Sequence, residues 1–197
     1  LQNMRPQCFE DIIAAISLYR PGPMDSIPRY IAGKADPSTV HYETPLLKPI
    51  LDVTYGCMVY QEQVMQIVRD LAGYSLGRSD LVRRAMAKKK KAVMAQEREY
   101  FIHGMKDENG SVVIDGALRR GVSLEAAEHI YDEMSAFASY AFNKSHAAAY
   151  ALVAVWTAWL KKHYPVPFMA ALLNSMMDNT PKIAGYIQYC RQSGIPI

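Results

Sequence analysis

Apolar residues recur every three to four positions along most of the chain, and this spacing places them on one face of an α-helix. Helices are predicted from Phe9 to Leu18, over a segment that ends near Gly73, after a cap at Ser123, and from Thr180 to about Gly194. Strand-like alternation is nearly absent, apart from a brief extended piece expected at residues 52–58. The pattern predicts a mainly α, multi-helix fold with at least six helices and little or no strand.

One predicted helix is apolar on almost every side. Residues 147–160 are all aliphatic or aromatic except Thr157. Two helix-breaking prolines, Pro165 and Pro167, follow this segment. A helix without a polar face lies in the interior of a soluble fold. We therefore expect a central helix at about residues 146–163, a restart at 168–177, and no membrane partner, since a bilayer span needs about 20 apolar residues.

Two other regions predict turns and surface. Residues 28–49 are rich in turn-forming residues, so short helical pieces at best are expected there. Residues 103–121 contain the turn signal KDENG and are expected to form an exposed excursion.

Positive charge is concentrated between residues 78 and 91. This segment has seven cations and one anion, a local net charge of +6 in a chain whose total is +3. We expect Ser79 to cap the helix of this segment and the helix to bend or end at Lys89. An ordinary solvated helix face carries acidic residues that neutralise its cations, and we expect such acidic partners to be missing here. Concentrated positive charge indicates a polyanionic partner.

A second stretch, FNKSHAAAY at residues 142–150, places polar groups at the start of the apolar helix. His146 and Tyr150 are four positions apart and share a helix face, which can stack on a base while Lys144 and free backbone amides address phosphate. A purely structural histidine is the alternative. Ser145 and His146 do not face each other, and no GxSxG elbow exists, so nucleophilic catalysis is not expected.

The length of 197 residues fits one domain. Cys8, Cys57 and Cys190 are odd in number and form no CxxC pair, so neither disulfides nor a metal site is expected and the compartment is expected to be reducing. No secretory signal is visible. Because the chain starts at Leu1 and stops at Ile197, we expect both ends to be cut from a longer polypeptide.

Five motifs in order carry a resemblance to a known family. They are LYRPGPM at 18–24, TYG with VYQEQVM at 54–65, LAGYSLG at 71–77, RRAM with the lysine run at 83–91, and FNKSHAAAY at 142–150. The chain resembles the alpha subunit of bacterial DNA polymerase III, the C-family replicase, over most of its length. The family usually has glycine where Ala87 stands.

The resemblance implies that residues 1–197 form one domain, most of a helical fingers domain that closes over the incoming deoxynucleoside triphosphate (dNTP). It implies nucleotide binding by Arg83, Arg84, Lys88, Asn143, Lys144, Ser145, His146 and Tyr150. Arg20, Tyr60, Gln61 and Lys91 are implied as pocket wall or DNA contacts. No catalytic and no metal-binding residue is expected on this chain.

The family's palm domain carries the aspartates that hold Mg²⁺ for nucleotidyl transfer, and no such pair is found here. We therefore expect a cytoplasmic, nucleoid-associated DNA-directed DNA polymerase of which this fragment alone is inactive. Implied partners are the dNTP, primer-template DNA, the palm and thumb of the same polypeptide, and the sliding clamp and other replisome subunits. The alternative is a non-enzymatic helical module that binds nucleic acid through the 78–91 face. A free-standing nucleotide hydrolase would need a glycine-rich phosphate loop, which is absent.

Overall fold

The computed structural model describes residues 1–20, 23–137 and 140–197. The turn predicted at Pro21 and Gly22 lies outside the described residues. The chain divides into two compact units, Leu1–Ala148 and Ala149–Ile197. The assignment of all 197 residues to one domain stays a prediction.

The first unit is built from helices. Its α-helices are α1 (Phe9–Leu18), α2 (Ile27–Ala35), α3 (Lys48–Leu51), α4 (Gln61–Ala72), α5 (Leu76–Ala87), α6 (Lys91–His103), α7 (Leu124–Phe137) and the start of α8 (Lys144–His163). Short 3-10 helices cover Pro23–Ser26, Pro37–Thr39, Pro45–Leu47 and Asp52–Thr54. Strands β1 (Met105–Lys106) and β2 (Val112–Ile114) pair antiparallel. The predicted mainly α class is confirmed.

Helix α4 lies at the centre of the main core. Val64, Ile67, Val68 and Leu71, which recur along α4 at helical spacing, are fully buried. Helices α6 and α7 contribute Phe101, Ile130 and Met134 to the same cluster. Each such side chain stabilises the fold by about 1.5–3 kcal/mol when it leaves water. Gly73 ends α4 in the left-handed region, with φ of 79°, as the sequence predicted.

Helix α5 begins four residues earlier than predicted. Ser75, not Ser79, is the cap, because its Oγ accepts a hydrogen bond from the Arg78 N–H at 3.3 Å. Ser79 is instead buried inside the helix, where its hydroxyl donates to the Leu76 carbonyl. The predicted end is confirmed: α5 stops at Ala87, and Lys89 has φ of 50°.

Two expectations for residues 28–58 are wrong. Helix α2 is nine residues long, not a short piece, because Pro28 falls in its first turn where no amide is needed. Residues 52–58 are not extended: a 3-10 helix covers Asp52–Thr54, and Tyr55 is left-handed with φ of 51°. The Gln63 amide stabilises this turn by donating to Thr54 Oγ1 at 2.8 Å.

Residues 103–121 are not simply a surface excursion. The tip is exposed, but Ile114 and Ala117 are buried in the main core. The two ends approach closely, since a Cβ on Gly116 would lie 2.4 Å from the Gly104 nitrogen. The sequence interpretation missed this because the turn signal marks the tip and is silent about the residues that return to the core.

Helix α1 is fixed by a buried carboxylate. Ile13, Ala14 and Leu18 are buried on this helix, whereas Phe9 is exposed. Asp11 accepts hydrogen bonds from the Tyr30 hydroxyl and the Lys34 ammonium.

The second unit contains the rest of α8, α9 (Pro165–Ser175) and α10 (Thr180–Gln192). Helix α8 forms as predicted, but it is not central in this chain: Trp156 is 59% and Trp159 52% exposed. An apolar surface predicts burial without stating what covers it. Helix α9 starts at Pro165, earlier than expected, and α10 starts at Thr180 with Asn179 as its cap.

Candidate functional site

The starts of α4 and α8 are joined by the main chain. The Gln61 N–H donates to the Phe142 carbonyl at 2.9 Å, and Phe142 N–H donates to Val59 at 3.4 Å. The Gln61 side-chain amide also donates to the Ala141 carbonyl at 3.1 Å. Two motifs about 80 residues apart in sequence therefore form one structural feature, which we call the α4–α8 junction (residues 59–63 and 141–146).

Glu62, in the first turn of α4, places its carboxylate against the start of α8. Its carboxylate accepts hydrogen bonds from the Lys144 N–H at 3.1 and 3.2 Å and from Asn143 Nδ2 at 3.0 Å. Asn143 Oδ1 accepts from the His146 N–H at 2.8 Å. The Lys144 and His146 amides expected to be open to phosphate are thus occupied by protein groups. The sequence interpretation did not single out Glu62, although a carboxylate is a common partner of a helix start.

The Lys144 side chain points back into the junction. Its Nζ lies 3.0 Å from Glu10 Oε2 and 5.2 Å from the centre of the Tyr60 ring. Tyr60 is only 1% exposed, so it fits the wall of a pocket and not a surface contact with DNA. Burial, followed by the charges of Glu10 and Glu62, raises the pKa of Tyr60 well above its usual range, so the phenol stays neutral.

Phe142 connects two of the predicted site residues. The Arg20 guanidinium lies 4.7 Å from the centre of its ring, a cation–π distance. The His146 ring lies 5.4 Å away on an edge-on approach. Arg20, His146 and the junction are therefore in one neighbourhood.

The arginines of α5 have acidic partners, contrary to expectation. Asp80 Oδ1 pairs with Arg83 at 2.6 Å and Asp80 Oδ2 with Arg84 at 2.7 Å. The hydrogen bond from Arg83 is the largest cause that lowers the pKa of Asp80, and the ion pair with Arg84 lowers that pKa further. Arg83 also donates to Gln61 Oε1 at 3.2 Å, which connects α5 to the junction.

Arg78 is a structural cation. It pairs with the buried Glu97 at 2.8 Å and lies 5.1 Å from the centre of the Tyr100 ring. The pairing of Arg78 with α6 could not be read from the sequence, because Glu97 lies 19 residues away.

The lysine segment (residues 88–91) differs from these arginines. All four side chains are exposed, and in the described part of the chain no ion pair involves them. Lys88 and Lys90 line a cleft of about 560 Å³ together with Arg84. Four neighbouring unpaired ammonium groups repel one another, and a bound polyanion relieves that repulsion.

The structure thus forms two groups from the predicted site residues. Arg20, Tyr60, Gln61, Arg83, Asn143, Lys144 and His146 meet around the junction, whereas Arg84 and Lys88 line the cleft and Lys91 begins α6. Ser145 is exposed in the first turn of α8, and Tyr150 belongs to the second unit and is 59% exposed.

No group of three or more His, Cys, Asp or Glu residues in the described ranges is arranged to hold a metal ion. Of the helices described, none is both long and apolar enough to cross a membrane.

Comparison with known proteins decides the family. The profile described as "Bacterial DNA polymerase III alpha subunit finger domain" matches residues 1–109, more than half of the chain. The chain belongs to this family. Proteins named DNA polymerase III subunit alpha are similar to the whole chain, with 51% identity in Xylella fastidiosa, 49% in Thermus aquaticus and 44% in Escherichia coli. The finger-domain chain covers only 16–17% of the length of these relatives.

Proposed function

We propose that this chain is the fingers region of a bacterial replicative DNA polymerase and binds the incoming dNTP during template-directed synthesis. The observation that carries the proposal is the unpaired lysine segment beside Arg84, at the edge of a cleft. Membership of the finger-domain family supports this assignment over a non-enzymatic nucleic-acid-binding module.

The triphosphate is assigned to Arg84 and Lys88, with Arg83 and Lys144 nearby. A triphosphate accumulates negative charge on the leaving pyrophosphate, and positioned cations stabilise that charge in the transition state. Arg83 and Lys144 have carboxylate partners, Asp80 and Glu10, and their side chains are mostly buried. Arg84 also pairs with Asp80, but its side chain is 67% exposed and lines the cleft with Lys88. We therefore assign the first phosphate contact to Lys88 and Arg84, and expect Arg83 and Lys144 to contribute after their ion pairs rearrange.

The nascent base pair is assigned to Asn143, which directly precedes α8, and to Ser145, His146 and Tyr150 within α8. Arg20, Tyr60 and Gln61 form the supporting wall, and Lys91 contacts the DNA backbone. Closure of such a helical element only on a correct pair would convert pairing geometry into rate.

The remaining assignments concern the whole protein. We infer that the metal-dependent transfer step uses Mg²⁺ held by a palm domain outside this chain, so that the chain alone is inactive. The roles assigned here are binding and positioning. The inferred partners are primer-template DNA, the palm and thumb, the sliding clamp and other replisome subunits, in the bacterial cytoplasm.

Single-turnover incorporation by the full-length subunit tests the triphosphate assignment. Lys88→Ala and Arg84→Ala should each slow incorporation by about tenfold or more, the effect of one lost charge-assisted contact, with primed-DNA affinity nearly unchanged. Lys106→Ala removes an exposed lysine from the β1–β2 hairpin and is the matched control. Unchanged incorporation in both cleft variants would remove Lys88 and Arg84 from the triphosphate site.

A further inference from the structure

We propose that Glu62 is a positioning residue that sets the specificity of the pocket formed by the start of α8. This inference rests on the proposed function, because it assigns Glu62 a role in that same nucleotide pocket. Glu62 is partly buried and lies in the first turn of α4, yet its hydrogen-bonding partners, Asn143 and Lys144, lie at the start of α8.

The geometry forms a chain of three hydrogen-bonded residues. Glu62 Oε1 accepts from Asn143 Nδ2 at 3.0 Å, and Asn143 Oδ1 accepts from the His146 N–H at 2.8 Å. Both ends of the Asn143 amide are therefore engaged, which fixes the orientation of that amide. Removing the Glu62 carboxylate would free the NH₂ end.

The Glu62 carboxylate also holds the backbone of α8. Both its oxygens lie within hydrogen-bonding distance of the Lys144 N–H, at 3.1 and 3.2 Å. A carboxylate at a helix start is stabilised by the helix dipole, and here it fills the place an external phosphate would take. The Lys144 backbone amide is therefore not open to a phosphate, and in this turn the Lys144 side chain is the group that can contact one.

The rest of the junction explains why losing Glu62 should alter the pocket without unfolding it. The bonds from Gln61 to Phe142 and Ala141 do not involve Glu62, so α4 and α8 remain joined. The first turn of α8 would still form, but Asn143 and Lys144 would lose their fixed positions. A pocket that recognises base-pair shape through Asn143 and His146 would then discriminate less well.

The test is the ratio of correct to mismatched nucleotide incorporation by the full-length subunit in single turnover. Glu62→Ala should lower this ratio by about tenfold, since it removes charge-assisted hydrogen bonds. Glu62→Gln keeps one acceptor oxygen and should give a smaller decrease. Glu108→Ala removes an exposed carboxylate at the hairpin tip and should leave the ratio unchanged. A loss of stability alone would not lower the ratio in the folded fraction.

Asn143→Ala separates failure of this inference from failure of the proposed function. If Asn143→Ala lowers the ratio and Glu62→Ala does not, the positioning role is overturned while the pocket assignment stands. If neither variant changes the ratio, the start of α8 does not contact the nascent base pair. The positioning role of Glu62 and the assignment of the nascent pair to α8 then both fail. Tighter nucleotide binding by Glu62→Ala would also overturn the inference, because Glu62 would then be competing with phosphate.

Discussion

Replacing Asp11 by asparagine should strongly destabilise the first unit. Asp11 is 1% exposed and holds three parts of the chain together. Its carboxylate accepts from Lys34 at 2.6 Å, Tyr30 at 3.1 Å, and the Gln7 and Cys8 amides at 2.8 and 3.2 Å. Asparagine has nearly the same shape but no charge, so it leaves the Lys34 ammonium without its carboxylate.

The pKa of Asp11 gives the magnitude. Burial raises that pKa, but the hydrogen bonds from Lys34, Gln7, Cys8 and Tyr30 outweigh burial and lower it from 3.8 to about 2. A shift of this size corresponds to about 2 kcal/mol of stability above the unfolded pKa. Because the folded pKa is the lower one, this contribution is complete at neutral pH and is lost as the pH falls from about 4 towards 2.

Urea unfolding followed by circular dichroism measures the effect. Asp11→Asn should lower the free energy of unfolding by about 2–4 kcal/mol at neutral pH. By linkage, the gap to the wild type should narrow by about 1 kcal/mol on going to pH 3. Glu108→Gln, which removes an exposed charge, is the control. A difference below about 0.5 kcal/mol, or a gap independent of pH, would refute the assigned role of Asp11.

Two further predictions address the hairpin base and α8. Gly116→Ala should destabilise the chain by about 3 kcal/mol, because φ is +82° and the new Cβ would lie 2.4 Å from the Gly104 nitrogen. Gly110→Ala is the control, because nothing lies within 4 Å of the new Cβ there, and it should lower the free energy of unfolding by only about 1 kcal/mol. Equal losses for the two variants in urea unfolding would contradict the close approach at Gly116. His146→Ala should raise by about threefold or more the nucleotide concentration needed for half-maximal incorporation, since it removes a ring from the proposed pocket. A change confined to the thermal unfolding midpoint would assign His146 a structural role.

Local sequence signals predicted the elements whose causes are local. The buried stripe of α4, its end at Gly73, the end of α5 near Lys89 and the Ser123 cap of α7 all follow from periodicity, glycine and capping chemistry within a few residues. The start of α5 was missed because Ser75 and Ser79 both suit a cap. In the structure Ser79 is buried inside the helix and Ser75 is the cap, and burial is a tertiary effect that the local sequence does not reveal.

The candidate site was predictable in its cations and not in their partners. The charge count identified the 78–91 segment, but only the fold pairs Arg78 with Glu97 and brings the Glu62 carboxylate against the start of α8. These partners lie far apart in sequence, so no periodicity reveals them. The exposure of α8 was missed because an apolar surface indicates burial without naming its cover.

Covalent labelling tests most directly the claim that the lysine segment and the start of α8 bind the triphosphate. A dNTP carrying an amine-reactive group on its γ-phosphate would be added to the full-length subunit on primed DNA, and modified lysines would be mapped by peptide mass spectrometry. We expect modification at Lys88 or Lys144, and we expect excess unmodified dNTP to prevent it. Labelling confined to lysines such as Lys106 or Lys182, or labelling that excess dNTP does not prevent, would contradict this claim.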